Sequence, residues 1–322
     1  MLSLIQVDDN LGRSRPFTTY AWITLVCNLV VILWGVFLRA SHSGDGCGQH
    51  WLTCQGEVIP SAPQLKTVIE FSHRVSTAIV GLVVVGLVFW AFRATKKADP
   101  ARWMAVLSLV FIVIEALIGR GLVLTGNTAD NWTPSRPYWT AGHLINTFLL
   151  VSVLALTAWF AKGARQLRFR QPAKIWIGLA IAFLAILVIG VSGSMAALAN
   201  MLFPPDSLAA GLIQDFDPNS NYLLRLRIFH PILSILLAVY LIFLAGWIRK
   251  QSPGNANVAW WSNALTIVII VQIAFGAATL LTLAPIVMQL GHLLLADLVL
   301  IGFVLLSASY LASATDGGEL LP

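Results

Sequence analysis

Residues 227–250 read RIFHPILSILLAVYLIFLAGWIRK. The run from Ile228 to Trp247 carries no charge, is bounded by Arg227 on one side and by Arg249 and Lys250 on the other, and holds one histidine, His230, near its start. About 20 apolar residues are what a helix needs to cross a bilayer. Working outward, similar runs recur at 20–38, 75–92, 103–123, 141–160, 175–199, 260–283 and 285–311. Only Ala284 and Pro285 separate the last two. The 322 residues are 58% hydrophobic and 11% charged, against about 25% charged in soluble domains. The sequence therefore predicts an all-α polytopic membrane protein with eight transmembrane helices.

Lysine and arginine predict its orientation. Thirteen of the twenty basic residues fall on one side: Arg13 and Arg15; Arg93, Lys96, Lys97 and Arg102; Lys162, Arg165, Arg168, Arg170 and Lys174; Arg249 and Lys250. That side is expected to be cytoplasmic, with both termini inside. The first twenty residues hold Asp8, Asp9, Arg13 and Arg15 and no apolar h-region, so no cleavable signal peptide is read there. The net charge of +6 follows from this topology and implies no nucleic-acid partner.

The two halves repeat. Ile69-Glu70-Phe71-Ser72-His73-Arg74 opens the second span and Gly142-His143-Leu144 lies early in the fourth. Arg227-Ile228-Phe229-His230-Pro231 opens the sixth and Gly291-His292-Leu293 lies early in the eighth. Glu115-Ala116-Leu117-Ile118-Gly119 aligns with Gln272-Ile273-Ala274-Phe275-Gly276. Arg39-Ala40-Ser41-His42-Ser43-Gly44 aligns more loosely with Gly190-Val191-Ser192-Gly193-Ser194. Four spans per half make the repeat parallel. The expected architecture is two parallel pseudo-symmetric four-helix bundles, residues 1–165 and 166–322.

Histidine is costly in lipid and is the commonest neutral metal ligand. Taken singly, each of His73, His143, His230 and His292 reads equally as a hydrogen-bonded histidine in a bundle. Four in register, on the outer side, point to haem held between facing helices. Arg39, Arg74, Arg120, Arg225 and Arg227 are candidate propionate contacts, or snorkelling anchors. Glu70 and His73 share a helix face. The carboxylate there orients a ligand or moves protons, or merely pairs with Arg74 or Lys66. The second half has Arg227 at that place, which predicts two chemically different sites, one for reaction and one for electron transfer. Cys47 and Cys54, with six residues between them in an outer loop, are expected to form a disulfide, structural or redox-active. Cys27 reads as a buried filler, and His42 and His50 as solvated loop residues. Glu115 and Gln272 read as sharing a hydrogen-bonding role and Asp297 as bonding within the bundle; none of these is assigned to catalysis. The chain has no CxxCH, which argues against covalent haem attachment.

These residues resemble the haem A synthase family, over nearly the whole chain. The elements that carry the resemblance are residues 39–44, the Cys47/Cys54 loop, the Glu70-x-x-His73-Arg74 element and the three later histidines; the cysteine pair is similar to that of bacterial members. The resemblance implies that His230 and His292 ligate a resident haem b. It implies that His73 and His143 hold the substrate, haem O, with Glu70 and His73 as catalytic residues. The implied reaction oxidises a ring methyl to a formyl group by successive hydroxylations and loss of water. It also implies a bacterial cell membrane, an electron donor of unspecified identity, and haem O synthase as a partner. The chain departs from the familiar pattern at His42-Ser43-Gly44-Asp45 and at Pro231. Two rival classes are a quinone-linked dihaem b-type electron carrier, which has no use for Glu70, and a proton-coupled transporter, for which only Glu115 and Asp297 approach the midplane.

Overall fold

A computed structural model describes residues 15–163 and 167–313. The expected features at Asp8, Asp9, Arg13 and Arg165, and the boundary between 165 and 166, lie outside the described residues. The elements, in chain order, are α1 (Arg15–Ala40), α2 (Leu65–Ala94), α3 (Pro100–Leu124), α4 (Arg136–Ala161), α5 (Ala173–Leu202), α6 (Leu208–Phe216), α7 (Tyr222–Arg227), α8 (Phe229–Lys250), α9 (Ala256–Leu281) and α10 (Ile286–Ser313). Eight helical spans are long and apolar enough to cross a membrane, α7 and α8 together forming one of them. The chain is thus a multi-pass membrane protein, as its composition implied.

The helices outrun the apolar runs. α2 begins at Leu65, ten residues before the run at 75–92, so Glu70 and His73 sit well inside a helix. The pair α7/α8 breaks at Ile228. Pro231 explains this: it cannot donate to the carbonyl of Arg227, and its ring crowds that carbonyl. The short α6 lies outside every apolar run. Its N-terminus is capped by Ser207, whose side chain accepts from the Ala210 N–H. Between α9 and α10 the chain turns through Leu283 and Ala284, both in the left-handed region.

α1, α2, α3 and α4 pack in a ring, each on the next and α4 back on α1; α5, α8, α9 and α10 do the same. α4 and α10 also touch each other, α4 touches α5, and α10 touches α1, so these two helices form the junction. The main core gathers at the end of the bundle where the basic residues cluster. It includes Phe17, Ala21 and Leu25 of α1, Leu87 and Ala91 of α2, Leu154 and Ala158 of α4, Leu241 and Ile248 of α8, and Leu300 and Leu305 of α10. At the other end the packing is looser. No residue in 71–79 of α2, 109–124 of α3, 229–240 of α8 or 270–281 of α9 is buried. All four helix-borne histidines lie in this looser layer.

Candidate functional site

His73 and His143 sit on α2 and α4, opposite members of the first ring, and His230 and His292 on α8 and α10, opposite members of the second. The rings of His230 and His292 are 6.3 Å apart, centre to centre, and perpendicular. A ring centre lies about 1.1 Å behind its nitrogen and a metal–imidazole bond is about 2 Å. Two imidazoles on opposite sides of one ion therefore stand about 6.2 Å apart, which is the observed spacing.

Three of these rings are cradled by glycine. A Cβ on Gly35 would lie 3.0 Å from His73 Cε1, one on Gly193 2.8 Å from His230 Cε1, and one on Gly276 2.8 Å from His292 Cε1. Small residues let helices approach closely in membranes, and here each leaves room for an imidazole. Gly35 and Gly193 occupy equivalent places by this contact, which shifts the loose sequence register between the first spans. Ser192 Oγ donates to the Ile189 carbonyl at 2.9 Å and stands 3.0 Å from His230 Nδ1. The hydroxyl proton is already engaged, so Nδ1 donates to Ser192, and Nε2 carries the free lone pair that a metal ligand needs. The Nδ1 atoms of His73, His143 and His292 are buried and have no hydrogen-bond partner among the described residues. No group of three or more His, Cys, Asp or Glu among the described residues is placed to hold a metal ion. The second ring supplies an opposed imidazole pair, and that donor set suits a metal whose other ligands come from a macrocycle.

Glu70 is buried against the cystine loop. Its Oε2 accepts from the Cys47 N–H at 2.8 Å and its Oε1 accepts from Arg74 Nε at 3.1 Å, with a second contact from the Arg74 guanidinium. The pairing with Arg74 was one of the two sequence readings; Lys66 instead faces Asp45 at 3.7 Å. Arg74 further donates to the carbonyls of His50, Trp51 and Thr53. Cys47 and Cys54 are joined as a disulfide, and both are buried. Gly46 lies against the Lys66 backbone, where a Cβ would meet the carbonyl at 2.4 Å, and its own carbonyl accepts from Thr67 Oγ1. The disulfide loop is therefore clamped onto the start of α2, with Glu70 beneath it.

The five candidate propionate arginines have different surroundings. Arg74 is engaged as described. Arg227 is buried, donating from Nε to Asp215 at 2.8 Å and from its terminal nitrogens to Asn200 and the Gly211 carbonyl. Arg120 lies over the Trp51 ring at 5.9 Å, and Arg225 is exposed. Arg39 touches Gln289 at 3.5 Å, and its buried Nε has no partner among the described residues. Beside it, a cavity of about 220 Å³ opens between the ends of α1 and α5 and the α9–α10 turn.

Several contacts escaped the sequence reading. His42, a partly exposed loop residue as expected, is also paired with Asp130 across two loops. Gln272 Oε1 and both Asp297 oxygens are buried and unpartnered among the described residues, so the hydrogen bonds expected of them are not made. Ser192 and Gly35 carried a signal, small residues in an apolar run, but nothing in the sequence tied them to a histidine.

Fold and site together define a polytopic membrane protein of two four-helix rings, each with a histidine on two opposite helices. The chain belongs to the COX15-CtaA family of cytochrome oxidase assembly proteins, whose family model matches residues 18–304. It is 41% identical over 304 residues to a protein named protoheme IX farnesyltransferase from Thermus thermophilus, covering 94% of this chain and 49% of that protein. The chain thus spans about half the length of that relative. It is 26% identical to a heme A synthase of Halalkalibacterium halodurans, covering 88% of this chain and 93% of that one. It is 27% identical to one of Alkalihalophilus pseudofirmus. The resemblance to haem A synthases read from the sequence is borne out.

Proposed function

We propose that the chain is a haem A synthase, an oxidoreductase that converts a methyl group of haem O to a formyl group. The observation that carries this reading is the opposed, perpendicular pair His230 and His292, repeated on the opposite helices of the first ring by His73 and His143. Relatives of nearly the same length bear the synthase name. The farnesyltransferase name belongs to a protein twice as long, and on this reading farnesyl transfer resides in the half that this chain does not match.

The two rings then form two pseudo-symmetric bundles, residues 1–165 for reaction and 166–322 for electron supply. His230 and His292 hold a haem b, which supplies one-electron chemistry when bound. Ser192 fixes the His230 tautomer, and Gly193 and Gly276 set the ring positions. His73 and His143 hold haem O as substrate. Each hydroxylation turns one C–H into C–OH, a two-electron oxidation that balances with dioxygen as oxidant, two electrons and two protons supplied and one water released; the second gives a gem-diol that loses water to leave the aldehyde. Glu70, three residues from His73, is the catalytic carboxylate of this reading, and the Cys47 N–H and Arg74 hold it in place. The electron donor binds from the membrane or its outer face. Haem O synthase is a partner: its product is too apolar to cross water freely, and a protein named protoheme IX farnesyltransferase is similar to this chain over about half of its own length. The protein sits in a bacterial cell membrane, both termini cytoplasmic and the histidine layer outward.

The test is acid-acetone extraction of haems from protein co-expressed with a haem O source. Haem A or a hydroxylated haem O is expected. Haem b alone, two per chain, would indicate the dihaem electron carrier instead. Glu70→Ala is expected to retain bound haem and to form no haem A; normal haem A formation by this variant would remove Glu70 from catalysis.

A further inference from the structure

We propose that Glu115 is a positioning residue for His143, which makes the first haem site electronically unlike the second. The inference rests on the ligand reading above and deepens it.

Three of the four histidines are braced by a glycine on a neighbouring helix. The fourth is not: Gly119, which matches Gly276 in the repeat, has nothing within 4 Å of its would-be Cβ. His143 instead has a carboxylate beside it. Glu115 Oε1 stands 3.4 Å from His143 Nδ1, a buried nitrogen with no hydrogen-bond partner among the described residues. Hydrogen bonds at unliganded sites are often long and tighten on loading.

Glu115 is itself fixed. Asn146 Nδ2 donates to Oε2 at 2.5 Å and also to the Phe111 carbonyl at 2.9 Å, and the Thr147 hydroxyl contacts Oε1. His143, Asn146 and Thr147 stand at i, i+3 and i+4, one face of α4. The second half lacks every part of this arrangement. Gln272 replaces Glu115, and Leu295 and Ala296 stand three and four residues after His292. Gln272 Oε1 and His292 Nδ1 are both unpartnered among the described residues.

An acceptor carboxylate on the distal nitrogen fixes an imidazole's tautomer and raises its basicity as a ligand. A more basic ligand favours the oxidised metal. The first site is thereby suited to oxidative chemistry, while the second, with a neutral glutamine at the matching position of the repeat, is suited to passing electrons.

The experiment is a redox titration of the purified chain reconstituted with protohaem, followed by optical and EPR spectra. His143→Ala identifies the first-site signal by its loss. Glu115→Gln keeps the size of the side chain and one acceptor oxygen while removing the charge, so a Glu115 that merely fills its place leaves the potential unmoved. The expected result is a tenfold shift of the first-site equilibrium toward the reduced form, about 59 mV for one electron, with the second site unchanged. Gln272→Glu, which does not depend on Glu115→Gln folding, is expected to shift the second site the opposite way. Unmoved potentials at sites that still hold haem would overturn the proposal. Retention of both haems by His143→Ala would overturn the ligand reading, and this inference with it.

Discussion

Gly193→Ala adds one methyl group where the structure has no space for it. The new Cβ would stand 2.8 Å from His230 Cε1, whereas ordinary contact begins at 3.4 Å. The imidazole must therefore retreat by about 0.6 Å, several times the ~0.2 Å tolerance of a metal–ligand distance. The helix cannot easily retreat instead. α5 is packed on α4 as well as on α8, and Gly190, one turn earlier, is already pressed against Phe148 and Leu144 of α4. The movement also strains the Ser192 bond that sets the ring tautomer. Losing an outer-shell partner alone costs 10–100-fold in metal affinity, so a loss of at least that size is expected for haem at the second site. The measurement is haem transfer to apomyoglobin, followed in the Soret band, with thermal unfolding alongside. Gly119→Ala is the control, because its Cβ enters open space. Both substitutions gain about 1 kcal/mol in helix propensity, so an unstable helix cannot explain a loss of haem. Wild-type haem affinity in Gly193→Ala, or an equal loss in Gly119→Ala, would refute the cradle argument.

Three further expectations concern stability. Replacing Cys47 and Cys54 by serine opens a short loop whose closure is worth about 2–3 kcal/mol; a lower Tm in detergent is expected, reproduced by reductant on the wild type, and an unchanged Tm would count against the clamp on α2. Arg227→Met strands buried Asp215 at a cost of about 3–5 kcal/mol, read as faster hydrogen exchange over residues 203–228, whereas exposed Arg225→Ala changes stability by less than about 0.5 kcal/mol; equal effects would contradict the buried pair. Asp297→Leu removes a fully buried carboxylate whose oxygens have no partner among the described residues; a stabilisation of roughly 1–3 kcal/mol is expected, and a lower Tm would reveal a partner.

The eight spans were legible because the length of an apolar run is a direct physical constraint. The break before α8 was not read from the sequence, although Pro231 carried the signal for it. The disulfide was legible from compartment and spacing. What escaped depends on how helices are rotated about one another. Arg225 and Arg227 are two residues apart with the same side chain, yet one is exposed and the other is buried on Asp215. The sequence offers no reason to choose between them until α6 is folded back onto α7. Ser192 is likewise one of many small polar residues, and it acquires a role only when α5 turns it toward His230. Glu70 was read with two alternatives, and the contact with Arg74 does not remove the other. One carboxylate can be held by the loop and still present its helix face beside His73.

The distribution of packing bears on how such a site is maintained. The core joins α1, α2, α3, α4, α5, α8, α9 and α10 at the basic end, where dense apolar contact fixes the helices relative to one another. The histidine end has a smaller core, Met195, Leu198 and Ala199 of α5 against Leu223 and Leu224 of α7, and polar contacts add to it: the cystine clamp on α2, Arg227 across α5, α6 and α7, and Arg136 on the loop carbonyls of Ala129 and Asn131. Polar clamps at the rim fix the helix ends without filling the space between the imidazoles. Apolar side chains large enough to stabilise that layer directly would occupy the volume that the glycines at 35, 193 and 276 keep clear. Stability is therefore built at one end of the helices and the binding layer at the other, and a substitution can be assigned to one or the other by its height along the helix.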